Sequence, residues 1–174
     1  RSRGFGVDSL RSSRPVEFEV KTLEEAEEMF DVLTYQKGST VLRMFETFIG
    51  EKTFKDGVRK YLKKYEYKNT HSSDLWNELT SVSSYNLSEI LPTWIQQEGY
   101  PIVNIEKEGS SFKISQKKYL INGSTDNSLW SVPLNIRYLD NDKVNKLVMD
   151  SDSITVKNDG AIPFINNGGW SFFH

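Results

Sequence analysis

Cysteine and histidine, the side chains most used as nucleophiles, neutral-pH bases and zinc ligands, are absent or scarce in this sequence, and that narrows the field first. None of the 174 residues is cysteine, and only His71 and His174 are histidine. Thiolate nucleophiles, disulfides and thiolate metal sites are therefore excluded. The two histidines lie far apart, so no His-x-x-x-His pair sets two imidazoles on one helical face for zinc. A self-contained zinc centre or a nucleophilic triad is hard to build from these parts.

What remains is a phenol. In FDVLTYQKGS, residues 30–39, Tyr35 stands behind Thr34 and just ahead of Lys37-Gly38. Thr34 has the chemistry of an N-cap, which would make Tyr35 the first helical residue. The N–H groups of a first turn lack intrahelical partners and carry the positive end of the helix dipole. A phenol there can point outward and donate a hydrogen bond to an oxyanion as it forms. Gly38 costs about 1 kcal/mol relative to alanine inside a helix, and its missing side chain would admit another backbone or a ligand. The same tyrosine equally fits a packing role at the head of the apolar face with Val41 and Leu42. That is the commoner fate of an aromatic at helical spacing.

Other clusters have simpler readings. Glu27, Glu28 and Asp31 could be paired carboxylates, but a solvated helix start explains them. His71, in NTHSSDLW, belongs in a loop or near a helix start rather than on a metal. The RKYLKKYEYK run at 59–68 mixes basic and aromatic residues, as nucleic-acid binders do. The Val58, Tyr61, Leu62, Tyr65 spacing makes it an amphipathic helix with a solvated basic face instead.

The elements that must position Tyr35 follow from periodicity, which changes character near Gly99. Before it, Val41, Leu42, Phe45, Phe48 and Ile49 recur at helical spacing, as do Phe54, Val58, Tyr61, Leu62 and Tyr65. Leu75, Leu79 and Val82 continue the pattern, followed by Leu87, Ile90, Leu91, Trp94 and Ile95. Thr22 with Glu25 has the spacing of a capping box, and Asn86 with Glu89 repeats it. Pro92 predicts a kink or a fresh helix start. After Gly99 the period becomes two: residues 101–121 read as a hairpin turning at Glu108-Gly109-Ser110, and 122–129 as a polar loop. Trp130 to Tyr138 alternates before a turn at Asp140-Asn141-Asp142-Lys143, with shorter strands expected near 144–149, 153–156, 162–165 and 170–174. The fold class is α+β, with helices over 1–98 and a small antiparallel sandwich over 99–174.

Hydrophobic residues at 37% and charged residues at 26% allow a packed core and argue against wholesale disorder. A net charge of −2 gives no general attraction to nucleic acid. The longest apolar runs are far too short for a membrane segment. Nothing resembles a signal peptide, and a start at Arg1-Ser2-Arg3 fits a chain cut from a longer one. The lack of cysteine favours a cytoplasmic setting.

Four segments carry a resemblance: DSLRSSRPVEFEV (8–20), FDVLTYQKGSTVLRMFETFIGEKTFKDGVRKYLKKYEYKNT (30–70), DLWNEL (74–79) and WIQQEGYPIVNI (94–105). In this order and spacing the chain closely resembles the aminopeptidase N-like family of zinc metallopeptidases. These gluzincins include the tricorn-interacting aminopeptidases and leukotriene A4 hydrolase. The similarity covers residues 8–105 well, and the remainder, ending PFINNGGWSFFH, more loosely. It implies the helical C-terminal part of a thermolysin-like catalytic domain followed by a β-sandwich domain. It implies an enzyme that removes N-terminal amino acids from peptides, using zinc in the full-length protein and working with the remaining domains of the same polypeptide. Tyr35 matches the family's catalytic tyrosine, which stabilises the tetrahedral intermediate opposite the metal. Phe30 matches a wall of the pocket for the substrate's first side chain; packing of a short helix over 23–31 is its equal rival.

Departures from the family pattern matter as much. The His-Glu-x-x-His helix, its downstream glutamate and the Gly-x-Met-Glu-Asn loop are not in these residues, so the chain holds no zinc ligands and alone should be inactive. Arg14 stands where histidine usually precedes the proline, a change expected to alter local hydrogen bonding. Ser39 replaces a small alanine. A non-catalytic scaffold or interaction module derived from the same family is the alternative.

Overall fold

The computed structural model describes residues 2–10, 13–119, 127–139, 143–157 and 162–174. Parts of two expected turns, 122–126 and 140–142, lie outside that set, as does the end of the expected hairpin at 120–121.

Two short helices come first, α1 (Ser2–Asp8) and α2 (Leu23–Glu28). Helix α2 starts as its sequence requires: the Thr22 hydroxyl accepts from Glu25 N–H, and the Glu25 carboxylate reaches back to Thr22 N–H. Helix α1 has no such signal and carries two glycines, which is why periodicity does not reveal it. At Gly4 a β-carbon would lie 3.4 Å from the Phe172 ring and 3.6 Å from Lys37 N, ordinary contact distances, so α1 packs beside the backbone next to Tyr35 without requiring glycine there.

A π-helical segment (Leu33–Lys37) runs into α3 (Gly38–Ile49). Thr40, Val41, Met44, Phe45 and Phe48 are buried along one face of α3, the stripe its sequence spells out. Gly50, at φ +97°, ends that helix and opens α4 (Glu51–Lys64). Helix α4 seats on α5 (Ser72–Thr80) through Gly57, where a β-carbon would lie 2.7 Å from Leu79 Cδ2. The contact stripe is narrower than expected, because Leu62 falls outside it and is 61% exposed. Of the basic face, Lys60 and Lys64 are tied to Glu78 of α5, at 3.3 Å and 2.5 Å. These bonds, that from Lys64 first, hold the Glu78 carboxyl below its usual range. His71 precedes α5, its N–H bonded to Asp74 at 2.9 Å. Pro92 acts as its chemistry demands, separating α6 (Leu87–Ile90) from α7 (Pro92–Ile95) and occupying the first position of the second. The Asn86 side chain makes no capping bond, unlike that of Thr22.

Among the described residues six strands follow: β1 (Pro101–Glu108), β2 (Ser111–Lys118), β3 (Val132–Tyr138), β4 (Val144–Met149), β5 (Ser153–Lys157) and β6 (Pro163–Phe164). They form two three-stranded antiparallel sheets, ordered β1-β2-β5 and β4-β3-β6. The β1–β2 hairpin pairs Ile105 with Ile114 and turns at Gly109, whose φ of +59° favours glycine. The expected strand at 170–174 does not form. There Phe172 and Phe173 are buried, and His174 exchanges backbone bonds with Val103 and Pro101 at the start of β1. A short tail held by its side chains needs no ladder.

One core runs through both halves. Val41, Phe45, Leu79, Leu91 and Trp94 from the helices share a cluster with Ile114, Val132, Leu134 and Ile136 from the strands. The Trp94 indole N–H donates to Ser131 O at 2.9 Å, and Lys146 Nζ to Phe48 O at 2.7 Å.

Candidate functional site

The segment 30–38 is built differently from its sequence reading. Thr34 is not the cap. Asp31 takes that role: Oδ1 accepts from Thr34 N–H at 2.8 Å, and its backbone carbonyl from Tyr35 N–H at 3.1 Å. Both residue types can cap, but Asp31 comes first in the chain, directly after the α2 exit, and claims the open N–H groups. Tyr35 therefore lies within the π-helical segment, not at the head of an α-helix. Gly38 N–H reaches back five residues to Leu33 O, the bond that defines a π-turn. Such single turns are rare and recur at functional sites.

The turn sorts its side chains sharply. Leu33 and Lys37 are buried, whereas Tyr35 is 57% exposed. Packing with Val41 is thus not the role of Tyr35, since Val41 is 1% exposed and belongs to the core. Nor does Phe30 pack α2, for it is 75% exposed. The Phe30 and Tyr35 rings lie 6.4 Å apart, tilted by 35°. The two aromatic residues singled out in the sequence therefore come together on the surface.

Two ionic clusters hold this turn. At its N-terminal side, Arg14 Nη2 lies 3.0 Å from Asp31 Oδ2 and donates to Thr34 Oγ1 at 3.2 Å. Asp31 is thus a bridge between Arg14 and the backbone, not merely a solvated acid. At the C-terminal side, Lys37 and Asp8 form an ion pair at 2.9 Å with both side chains fully buried. Lys37 Nζ also donates to Gly99 O at 3.0 Å and Gln97 O at 3.2 Å, while its contact with Asp8 Oδ2 is ionic without hydrogen-bond geometry. Asp8 Oδ1 accepts from Ser13 Oγ at 2.6 Å and Gly99 N–H at 2.9 Å. Burial pushes the Lys37 ammonium below its ordinary value, and the Asp8 charge opposes that shift. Nearby, burial pushes the Tyr100 phenol up to about 12, with Tyr119 and Asp8 adding to the effect. Sequence reasoning missed the Asp8–Lys37 pair because charged residues are read as surface by default.

Among the described residues no other backbone makes the close approach to Gly38 that its missing side chain would admit. Its backbone is helical, and a β-carbon would meet only Val16 Cγ1, at 3.9 Å. Gly38→Ala should therefore stabilise this chain by roughly 0.4–1 kcal/mol, by restricting the unfolded state. The check is the midpoint of urea denaturation, and a lower midpoint would contradict it.

Among the described residues, no group of three or more His, Cys, Asp and Glu side chains could hold a metal ion. Nor is any helix among them long and apolar enough to cross a membrane.

The profile of the Peptidase family M1 domain matches residues 1–94. "Probable aminopeptidase 1" of Sulfurisphaera tokodaii is 36% identical over 158 residues, 91% of this chain and 20% of the relative. "Leucyl aminopeptidase" of Saccharolobus solfataricus is 36% identical over 155 residues, covering 89% of this chain and 20% of the relative. "Tricorn protease-interacting factor F2" of Thermoplasma volcanium is 36% identical over 129 residues, covering 74% and 16%. The chain thus spans about one fifth or less of the length of these curated relatives.

Proposed function

We infer, from the premise that this chain belongs to peptidase family M1, that it is part of a zinc-dependent aminopeptidase removing N-terminal residues from peptides. In this reading residues 1–98 are the helical C-terminal portion of a thermolysin-like catalytic domain, and 99–174 are a β-sandwich domain. The observation that carries it is the exposed phenol of Tyr35 on a π-turn whose two flanks are tied down by ion pairs.

The described residues do not fit a zinc site, so the ligands would come from other parts of the polypeptide. What this chain contributes is positioning and a donor. A peptide carbonyl under attack develops negative charge on oxygen, and a fixed donor aimed at that oxygen lowers the barrier without reorganising. Tyr35 supplies the O–H. Phe30, close by and open to solvent, supplies an apolar wall against which a substrate's first side chain would lose exposed area.

The reading is tested on two preparations. The 174-residue chain alone should hold no stoichiometric zinc and release no aminoacyl reporter. The full polypeptide should do both, with a His-Glu-x-x-His helix and a further glutamate preceding this segment. Zinc and turnover in the short chain, or substituted ligands in the long one, would overturn it.

A further inference from the structure

The link between Phe30 and Tyr35 is held by one guanidinium. Both aromatic side chains are largely exposed, so burial does not fix their relative position. Four residues separate them, and Arg14 grips two of these, Asp31 at 3.0 Å and Thr34 at 3.2 Å. The grip is shared with the backbone: one Asp31 oxygen faces Arg14 while the other accepts from Thr34 N–H at 2.8 Å. Arg14 is itself anchored, since Nη1 donates to Pro15 O at 2.9 Å and the guanidinium stacks 4.8 Å from the Phe18 ring centroid. A planar fork with fixed N–H directions can hold a carboxylate, a hydroxyl and a carbonyl at once. A lysine, a single point charge on a flexible stem, cannot.

We propose that Arg14 is a positioning residue for Tyr35, setting the phenol's placement through Asp31 and Thr34. The proposal rests on the reading of Tyr35 as oxyanion donor. Arg14 touches neither substrate nor reacting atoms in this arrangement; it acts through the turn it clamps. Misplacing a catalytic group by about 1 Å can cost up to about a hundredfold in rate, and loss of one of two flanking clamps should cost less.

The test is a double-mutant cycle in the full-length enzyme. Arg14→Met should lower kcat on the order of tenfold with little change in KM. Arg14→Lys, which keeps charge and stem, should fall between Arg14→Met and the parent, and it carries the test if Arg14→Met does not fold. In a Tyr35→Phe background the same Arg14 substitutions should change kcat by less than about twofold, because the group they position is gone. Equal losses in both backgrounds would mark a general structural role and overturn the proposal, as would no loss in either. If Tyr35→Phe alone leaves kcat unchanged, the donor reading fails first, and that result is read without touching Arg14.

Discussion

Lys37→Met should destabilise this chain by about 3–5 kcal/mol, the cost of breaking a buried ion pair by removing one partner. Methionine nearly matches the lysine stem, so the loss is not mainly one of packing. It comes from what is left behind: an Asp8 carboxylate with no counter-charge, and the carbonyls of Gly99 and Gln97 without their donor. Asp8→Asn should cost less. An asparagine oxygen can still accept from Ser13 and Gly99, and Lys37, already pushed down by burial, can shed its proton. Urea denaturation followed by tryptophan fluorescence ranks the two variants. A Lys37→Met loss below about 1 kcal/mol would show that the pair is not the lock this geometry describes.

The two variants should also part company with pH. Lys37 binds its proton less tightly folded than unfolded, so the fold gains stability as pH rises from the lowered folded value toward 10.5. The Asp8 charge is what most strongly opposes that shift, and removing it widens the window downward. Asp8→Asn should therefore recover part of its loss as pH rises toward 10.5, and Lys37→Met, which has no such group, should not. Tyr100 does not confuse this trend below pH 10.0. With a folded value of about 12 against the ordinary 10.0, Tyr100 leaves stability independent of pH below 10.0, and stability is lost only as pH rises from there toward 12.

Local rules were enough for elements whose signals are local. The α2 capping box, the break at Pro92, the turn at Gly109 and the bounds of β4 each follow from a few adjacent residues. What needed the third dimension was partnership across the chain. Asp31 and Thr34 are both competent caps three residues apart, and Arg14, far upstream, takes the hydroxyl of one and an oxygen of the other. A lysine beside a glycine reads as solvent-facing until Asp8 and the Gln97–Gly99 backbone are brought around it. Helix α1 was invisible because two glycines and the lack of a capping signal leave no local mark, and its buried residues Gly4, Phe5 and Asp8 meet partners distant in sequence. The candidate site was legible in part. Tyr35 and Phe30 could be named, while the clamps that place them could not.

Tyr35→Phe in the full-length enzyme should lower kcat on the order of a hundredfold or more, with KM little changed. The substitution keeps the ring, its 6.4 Å contact with Phe30 and the π-turn beneath it, and deletes one O–H. The side chain is 57% exposed, so no core packing depends on that hydroxyl and the melting temperature should not move appreciably. Any loss is therefore chemical. A donor that engages only as the carbonyl oxygen becomes an oxyanion contributes to the transition state and hardly to the bound substrate, which is why kcat falls and KM does not. The expected size is that of removing one preorganised donor, about 2.7–4 kcal/mol in barrier height. A rise in KM at constant kcat would instead make Tyr35 a binding-wall residue alongside Phe30. Near-normal values of both would remove it from the site altogether.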